Sequence, residues 1–373
     1  MRILCVLPNP TQPTTVGRVA LLQRQGHQVE VMAFQRGFDH GRSFNCPVTI
    51  LGRIHHQDYL ERIPVLLRAF PKIRAGIRRN QVVYVLNLDL TFMVIVSGWG
   101  LKRPVILDVL DITQIQVASG LKGRLVRAVE KFVVERCHLL MLQSPDYRRY
   151  YRDWLHTNTP DITSPGGRVE YARVVAHRKD EATPAAGIPF RDRPLKIGYF
   201  ATMRDQWSLE CLEYLAKSSK GRFEFLLAGA VSPTLQGFDQ FLERNPDIQY
   251  KGPFRHSEDI SELYGSVDMI LACFPPKMPF GWSRSCRSYE ACLFQKPLIV
   301  RAGTGDSKEV ERYQSGLIIG EHNPEDAAAE IRDITADDWL RWRTNMAALP
   351  LDFYSYTDTS NGLIRALNDL HLD

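Results

Sequence analysis

Arg284-Ser285-Cys286-Arg287-Ser288-Tyr289-Glu290-Ala291-Cys292-Leu293-Phe294-Gln295-Lys296-Pro297-Leu298-Ile299-Val300 is the stretch on which the reading of this chain turns. Ser288–Phe294 has the composition of a short helix, and Pro297–Val300 that of a buried strand. Arg287 and Glu290 stand three residues apart, so both fall on one helical face. A guanidinium there can meet a diphosphate, while a carboxylate accepts hydrogen bonds from ribose hydroxyls. The same spacing also suits an ordinary surface ion pair. A helix feeding a short apolar strand is a unit of α/β architecture, so the next question is whether the chain keeps that rhythm.

It does, twice. Met1–Leu7 reads as a strand, Thr15–Gln25 as a helix with Val19, Leu21 and Leu22 on its apolar side, and Val29–Phe34 as the next strand after a Gly26 cap. Val82–Leu86, Pro104–Leu110 and Leu139–Leu142 continue the series. Their apolar runs are continuous rather than alternating, which implies strands covered on both faces and a parallel sheet. Periodicity lapses between Arg168 and Pro194, where a charged run precedes Pro184, Gly187 and Pro189. It restarts with Leu195–Phe200, Ser208–Ser218, Phe223–Ala228, Gln249–Gly252, Ile260–Tyr264 and Met269–Ala272. The expected fold class is α/β, with two Rossmann-like doubly wound parallel-sheet domains facing a cleft. The expected division is 1–167, completed by a C-terminal helix in 352–373; a linker over 168–194; and 195–351. Ligands of such sheets bind at the carboxyl ends of the strands.

Bulk properties narrow the class. The 373 residues suffice for two cores, and 44% hydrophobic with 24% charged residues is an ordinary soluble composition. Five apolar residues before Pro8 are too few for a secretory leader, and Leu90–Leu101 is about half a membrane span. Seven scattered cysteines without a Cys-x-x-Cys pair argue for free thiols, not a disulfide framework or zinc site. The expected location is therefore cytoplasmic. Charge is uneven: residues 1–165 hold 22 Lys+Arg against 12 Asp+Glu, and the remainder 25 against 30. A basic first half should attract something anionic.

Several segments carry a family resemblance. The Arg284–Val300 stretch resembles the donor-site segment of family-4-like glycosyltransferases of GT-B fold, whose pattern runs roughly Lys-x-x-Glu-Ala-x-Ala-x-Gly-Lys-Pro-Val-Ile. Lys196–Arg204 resembles the opening of their donor domain, and Phe225-Leu226-Leu227-Ala228-Gly229 its second strand. Gln249–Pro253 and Leu263-Tyr264-Gly265-Ser266-Val267-Asp268 resemble the pair that follows. In the first half, Gln25–Val31 resembles a Gly-His-Glu-Val turn, and Val82–Asp89 with Val105–Asp111 the strand pair near the acceptor. Each motif is weak alone; seven in order are a strong signal of fold.

The resemblance implies a glycosyltransferase in polysaccharide assembly, with Arg204 and Arg287 on the diphosphate of a nucleotide-sugar donor and Glu290 on its ribose. Two guanidinium groups would stabilise the leaving diphosphate without a metal or other cofactor. Tyr289 belongs to the same helix, and Gly303 opens a turn that can supply backbone contacts. Two departures stand out. The acid that the family places eight residues before the helix glutamate is Trp282 here, a residue able to stack on a base or sugar. The Gly-Gly loop after the first strand is replaced by Asn9–Thr15. Retaining and inverting outcomes both stay open. An inverting reaction needs a base, and Asp111 and Asp108 at a strand end are the candidates, with Asp89 behind them; Asp111 equally suits a helix cap. His55-His56 lacks a third ligand at metal spacing and reads as a surface pair, and His27 as a turn residue.

Two basic amphipathic stretches complete the inventory. Tyr59–Asn80 sets Leu60, Ile63, Leu67, Phe70 and Ile77 beside six basic residues, and Leu121–Arg136 sets Leu121, Leu125 and Phe132 beside Lys122, Arg124, Arg127 and Lys131. Either these apolar sides face the core under a solvated basic face, or they meet anionic lipid. The second reading suits a lipid-linked acceptor and peripheral attachment to the membrane; a small soluble acceptor and a non-catalytic binding protein are the rivals. Nucleic acid is disfavoured, since the arginines lack interleaved aromatics or a recognition motif.

Overall fold

Strands form where the apolar runs fall. The computed structural model describes residues 1–10, 13–35, 44–53, 59–165, 168–170, 174, 188–276, 278–320, 322–357 and 361–370. The chain divides into two units, Met1–Gly166 with Asp358–Asp373, and Gly167–Thr357.

The first unit contains β1 (Arg2–Leu7), β2 (Gln28–Gln35), β3 (Val48–Arg53), β4 (Val82–Leu86), β5 (Val105–Val109), β6 (Leu139–Leu142) and β7 (Asp161–Thr163). They form one parallel sheet of order β3-β2-β1-β4-β5-β6-β7. Ile3–Leu7 and Val82–Leu86 are fully buried, as their unbroken apolar runs require. Helix Pro13–Arg24 sends Val19, Leu21 and Leu22 into the core, and helix Gly362–Asn368 adds Leu363, Ile364 and Leu367. Fully burying one such side chain contributes about 1.5–3 kcal/mol.

The second unit opens with the short β8 (Val169–Glu170). Its main sheet holds β9 (Leu195–Phe200), β10 (Phe223–Ala228), β11 (Ile248–Tyr250), β12 (Met269–Leu271), β13 (Leu298–Arg301) and β14 (Gly316–Ile319). Their order is β11-β10-β9-β12-β13-β14, parallel throughout. Strand order reverses between β9 and β12, where a doubly wound sheet opens a crevice at its carboxyl edge. Helix Gln206–Ser219 packs Leu209, Leu212 and Leu215 inward, and Asp205 caps its start by accepting from the Ser208 amide at 3.3 Å. The last strand, β15 (Ser355–Tyr356), pairs with β8 in a separate two-stranded sheet.

Two helical faces differ from the sequence expectation. Among the described side chains of helix Tyr59–Arg79 the buried residues are Ala69, Ile73, Gly76 and the expected Ile77, while Leu67 is 62% exposed; Leu60 and Ile63 lie outside the described side chains. In helix Leu121–Val134 the inward residues are Gly123, Glu130, Val133 and Val134; Leu121 is 83% and Leu125 66% exposed. The small residues explain the choice. A Cβ on Gly76 would lie 2.7 Å from Met32 Cε, and one on Gly123 would lie 2.2 Å from the Ala118 carbonyl oxygen. The faces that carry these glycines are the ones that pack, with Ile73 and Ile77 or Val133 and Val134 beside them, and Leu67, Leu121 and Leu125 point outward.

Candidate active site

The carboxyl edge of the second sheet gathers most of the residues read as donor-binding. The loop after β9 carries Arg204, exposed, immediately before the Asp205 cap. The loop after β12 runs to a short turn, Phe280–Trp282, and then to helix Cys286–Leu293. Ser285 starts that helix by accepting from the Ser288 amide. Its own amide donates to the Asp306 carboxylate at 3.1 and 3.3 Å. Asp306 is fully buried, and burial raises its pKa against the lowering effect of those hydrogen bonds. The turn after β13 bends at Gly303, φ +74°. A Cβ on Gly305 would meet the Ser283 carbonyl oxygen at 2.2 Å, so the two loops approach backbone to backbone.

Arg287 and Glu290 are both only 8% exposed, which removes the alternative of a surface ion pair. Arg287 donates to the Leu271 carbonyl at the end of β12 (3.0 Å), and its guanidinium lies over Tyr199 (5.4 Å) and Phe274 (4.7 Å). Glu290 accepts from the Tyr264 hydroxyl at 2.8 Å, and Tyr264 is fully buried, stacked on Phe294 at 4.9 Å between centroids. A cation among aromatic faces and a carboxylate oriented by a phenol are both fixed before any ligand arrives. Trp282 is buried, and Tyr289 packs into the core with its ring 6.0 Å from Phe353.

In the first unit, Asp108 on β5 is completely buried. It accepts from the Tyr84 hydroxyl (2.6 Å) and Gln143 Nε2 (3.1 Å), and lies 3.3 Å from Arg18 Nε. Arg18 in turn donates to Ser164 Oγ and its carbonyl. Asp111, two residues past β5, is exposed. Thr113, not Asp111, caps helix Gln114–Val117, where its amide donates to Gln116 Oε1 at 2.6 Å. Asp89 is exposed in the first turn of helix Leu88–Ser97, and His27 lies in the turn before β2. His55 and His56 lie outside the described residues.

Sequence reading did not find Tyr264 as the partner of Glu290, Asp306 as the anchor of the donor helix, or Arg301. The last carried a legible signal, an arginine closing an otherwise apolar strand.

No family model matches the chain. It is similar to the succinoglycan biosynthesis protein ExoL of Rhizobium meliloti strain 1021, 26% identical over 345 residues that cover 90% of this chain and 85% of the other. Among solved structures it is similar to Anabaena Alr3699/HepE in complex with UDP and glucose, with TM-score 0.69 and 14% identity over 98% of this chain and 99% of that one. It is also similar to WaaG, a glycosyltransferase involved in lipopolysaccharide biosynthesis, with TM-score 0.63 and 14% identity over 93% and 94%. The likeness spans both parallel-sheet units and agrees with the ordered motifs along the sequence: the chain has the GT-B fold, with two parallel-sheet α/β units.

Proposed function

We propose that the chain transfers a sugar from a uridine-diphosphate donor to a lipid-linked or other glycan acceptor in polysaccharide assembly. The observation that carries this reading is the pair Arg287 and Glu290, buried and pre-oriented at the switch point of the second sheet. Arg287 and the exposed Arg204 bind the diphosphate and hold its charge as the sugar bond breaks. Glu290 takes the ribose, Trp282 shapes the wall of the pocket, Tyr289 backs the donor helix from the core, and the Gly303 turn offers backbone groups. Asp111 is the base for the acceptor hydroxyl, and Asp108, held by Arg18 and Tyr84, is the second candidate. The nucleotide preference follows the UDP complex of the Anabaena protein, and the polysaccharide role follows the succinoglycan relative. A panel of nucleotide sugars tested for thermal stabilisation checks the donor: UDP-sugars should raise Tm with concentration, and a flat response to every nucleotide sugar would sink it.

Transfer should continue in EDTA. Among the described residues no cluster of His, Cys, Asp or Glu could hold a metal ion, and the arginines supply the positive charge at the diphosphate. A rate that collapses on chelation and returns with manganese would contradict the assignment.

We further propose that the first unit rests on anionic membrane lipid. No described helix is long and apolar enough to cross a membrane. Helix Tyr59–Arg79 packs on helix Leu88–Ser97, which packs on helix Leu121–Val134. Leu67, Trp99, Leu121 and Leu125 are more than 60% exposed around them, beside Lys122 and Arg124. Arg74 and Arg79 serve the fold instead, on the Ser97 and Trp99 carbonyls and on Glu30. Leu121→Ser with Leu125→Ser should lower partition onto phosphatidylserine-containing liposomes roughly tenfold, with Tm unchanged, and salt should release the parent chain. Equal sedimentation with neutral and anionic liposomes, or with neither, would favour a soluble acceptor.

A further inference from the structure

Arg301 ends β13 and is 8% exposed, yet its Nε has no hydrogen-bond partner and, among the described residues, no carboxylate pairs with it. A buried guanidinium in that state is costly, because the desolvation of its charge is not offset by a counter-ion. One feature holds it: the guanidinium carbon lies 4.0 Å from the ring centre of Trp207, whose indole nitrogen donates to the His322 carbonyl at 3.2 Å. Trp207 stands in the first turn of helix Gln206–Ser219, just after the Arg204 loop.

Arg301 also stands at the same sheet edge as Arg287: Leu271 on β12 is paired with Ile299 on β13, Arg287 donates to the Leu271 carbonyl, and Arg301 lies two residues past Ile299 on its strand. Nearby acids are engaged elsewhere: Asp205 accepts from the Ser208 amide and hydroxyl, and Glu330 meets His322. A stacked, unpaired cation beside a second cation is a pre-formed seat for an anion. We propose that Arg301 is a third anion-binding arm of the donor subsite, taking an anionic oxygen of the nucleotide sugar next to Arg287. That oxygen belongs either to the diphosphate or to the carboxylate of a uronic-acid sugar. The assignment rests on the donor reading above, and nothing in the ordered family motifs marks this position.

The test uses the full chain, Arg301→Gln and Arg301→Lys, titrated with uridine, UDP, UDP-glucose, UDP-glucuronic acid and inorganic pyrophosphate. The ligand-free Arg301→Gln protein should melt at or above the parent temperature, because an unpaired buried charge has been removed. Its affinity for UDP and pyrophosphate should fall about tenfold, the loss of one charge-assisted hydrogen bond, with uridine unchanged. A loss confined to UDP-glucuronic acid assigns the oxygen to the sugar carboxylate and also supports the arm. Arg301→Lys keeps the charge but loses the planar fork and the stacking; it should weaken the same ligands severalfold and decides the matter if the glutamine variant does not fold. Unchanged affinities in whichever variant folds would overturn the proposal, as would a lowered melting temperature with unchanged affinities, which describes a structural stack. A parent chain that binds pyrophosphate through Arg301 but no uridine ligand would remove the donor reading and leave the anion seat standing. Binding of neither would remove both.

Discussion

Arg287→Ala is expected to abolish transfer and to weaken UDP binding at least tenfold while leaving uridine binding in place. The side chain is held between the Tyr199 and Phe274 rings and on the Leu271 carbonyl, so it needs little reordering to meet a phosphate. A hydrogen bond to a charged group contributes about 1.5–3 kcal/mol, which sets the tenfold floor. The effect on rate should exceed the effect on binding, because charge on the leaving diphosphate grows as the sugar bond breaks. Glu290→Ala should behave differently and lose uridine as well, since its partner is the ribose. Arg287 touches β12 through the Leu271 carbonyl and Glu290 holds the buried Tyr264 hydroxyl, so a thermal melt of each variant separates lost binding from lost fold. Calorimetric titration with uridine and UDP, paired with a rate measurement, reads all three quantities. Unchanged UDP affinity in both variants would take the Cys286–Leu293 helix out of the donor site.

The sheets were legible because a strand covered on both faces must be largely apolar: β4 is so throughout, β1 from Ile3 onward, and β5 apart from Asp108. Arg287 and Glu290 were legible because a three-residue spacing fixes a helical face regardless of what lies around it. The helical faces of the first unit were not. Counting large apolar residues selects Leu67, Leu121 and Leu125, but the buried faces run through Gly76, which leaves room for the Met32 and Leu4 side chains, and Gly123, which lies against the Ala118 and Ile115 carbonyls. Glu130 points inward against its polarity because Tyr150, Tyr151 and Gln116 all donate to it, at 2.5, 3.2 and 2.8 Å. Those donors are 14 to 21 residues away in sequence, and no local pattern announces them. Tyr264 and Asp306 escaped for the same reason. Each acts through a partner on another element, so its role exists only once the chain has folded.

Asp108 and Asp111, indistinguishable as strand-end acids in the sequence, should separate sharply on substitution. Asp108→Ala removes the carboxylate 3.3 Å from Arg18 and the acceptor of the Tyr84 hydroxyl, all within a fully buried layer. Breaking such a pair costs about 3–5 kcal/mol, since the remaining guanidinium keeps its desolvation and loses that attraction. In a protein of two such units the expected fall in Tm is roughly 6–20 °C. Asp111→Asn touches an exposed side chain, so stability should move by no more than about 0.5 kcal/mol. If Asp111 takes the proton of the acceptor hydroxyl, the rate should drop about 10²–10⁴-fold with donor affinity unchanged. Thermal melts and single-turnover rates on the two variants give the answer together. An Asp108→Ala protein that melts like the parent but fails to turn over would move the base to Asp108. An Asp111→Asn protein of full activity would take the base away from Asp111, and a retaining reaction, which needs no such base, would become the mechanism to test.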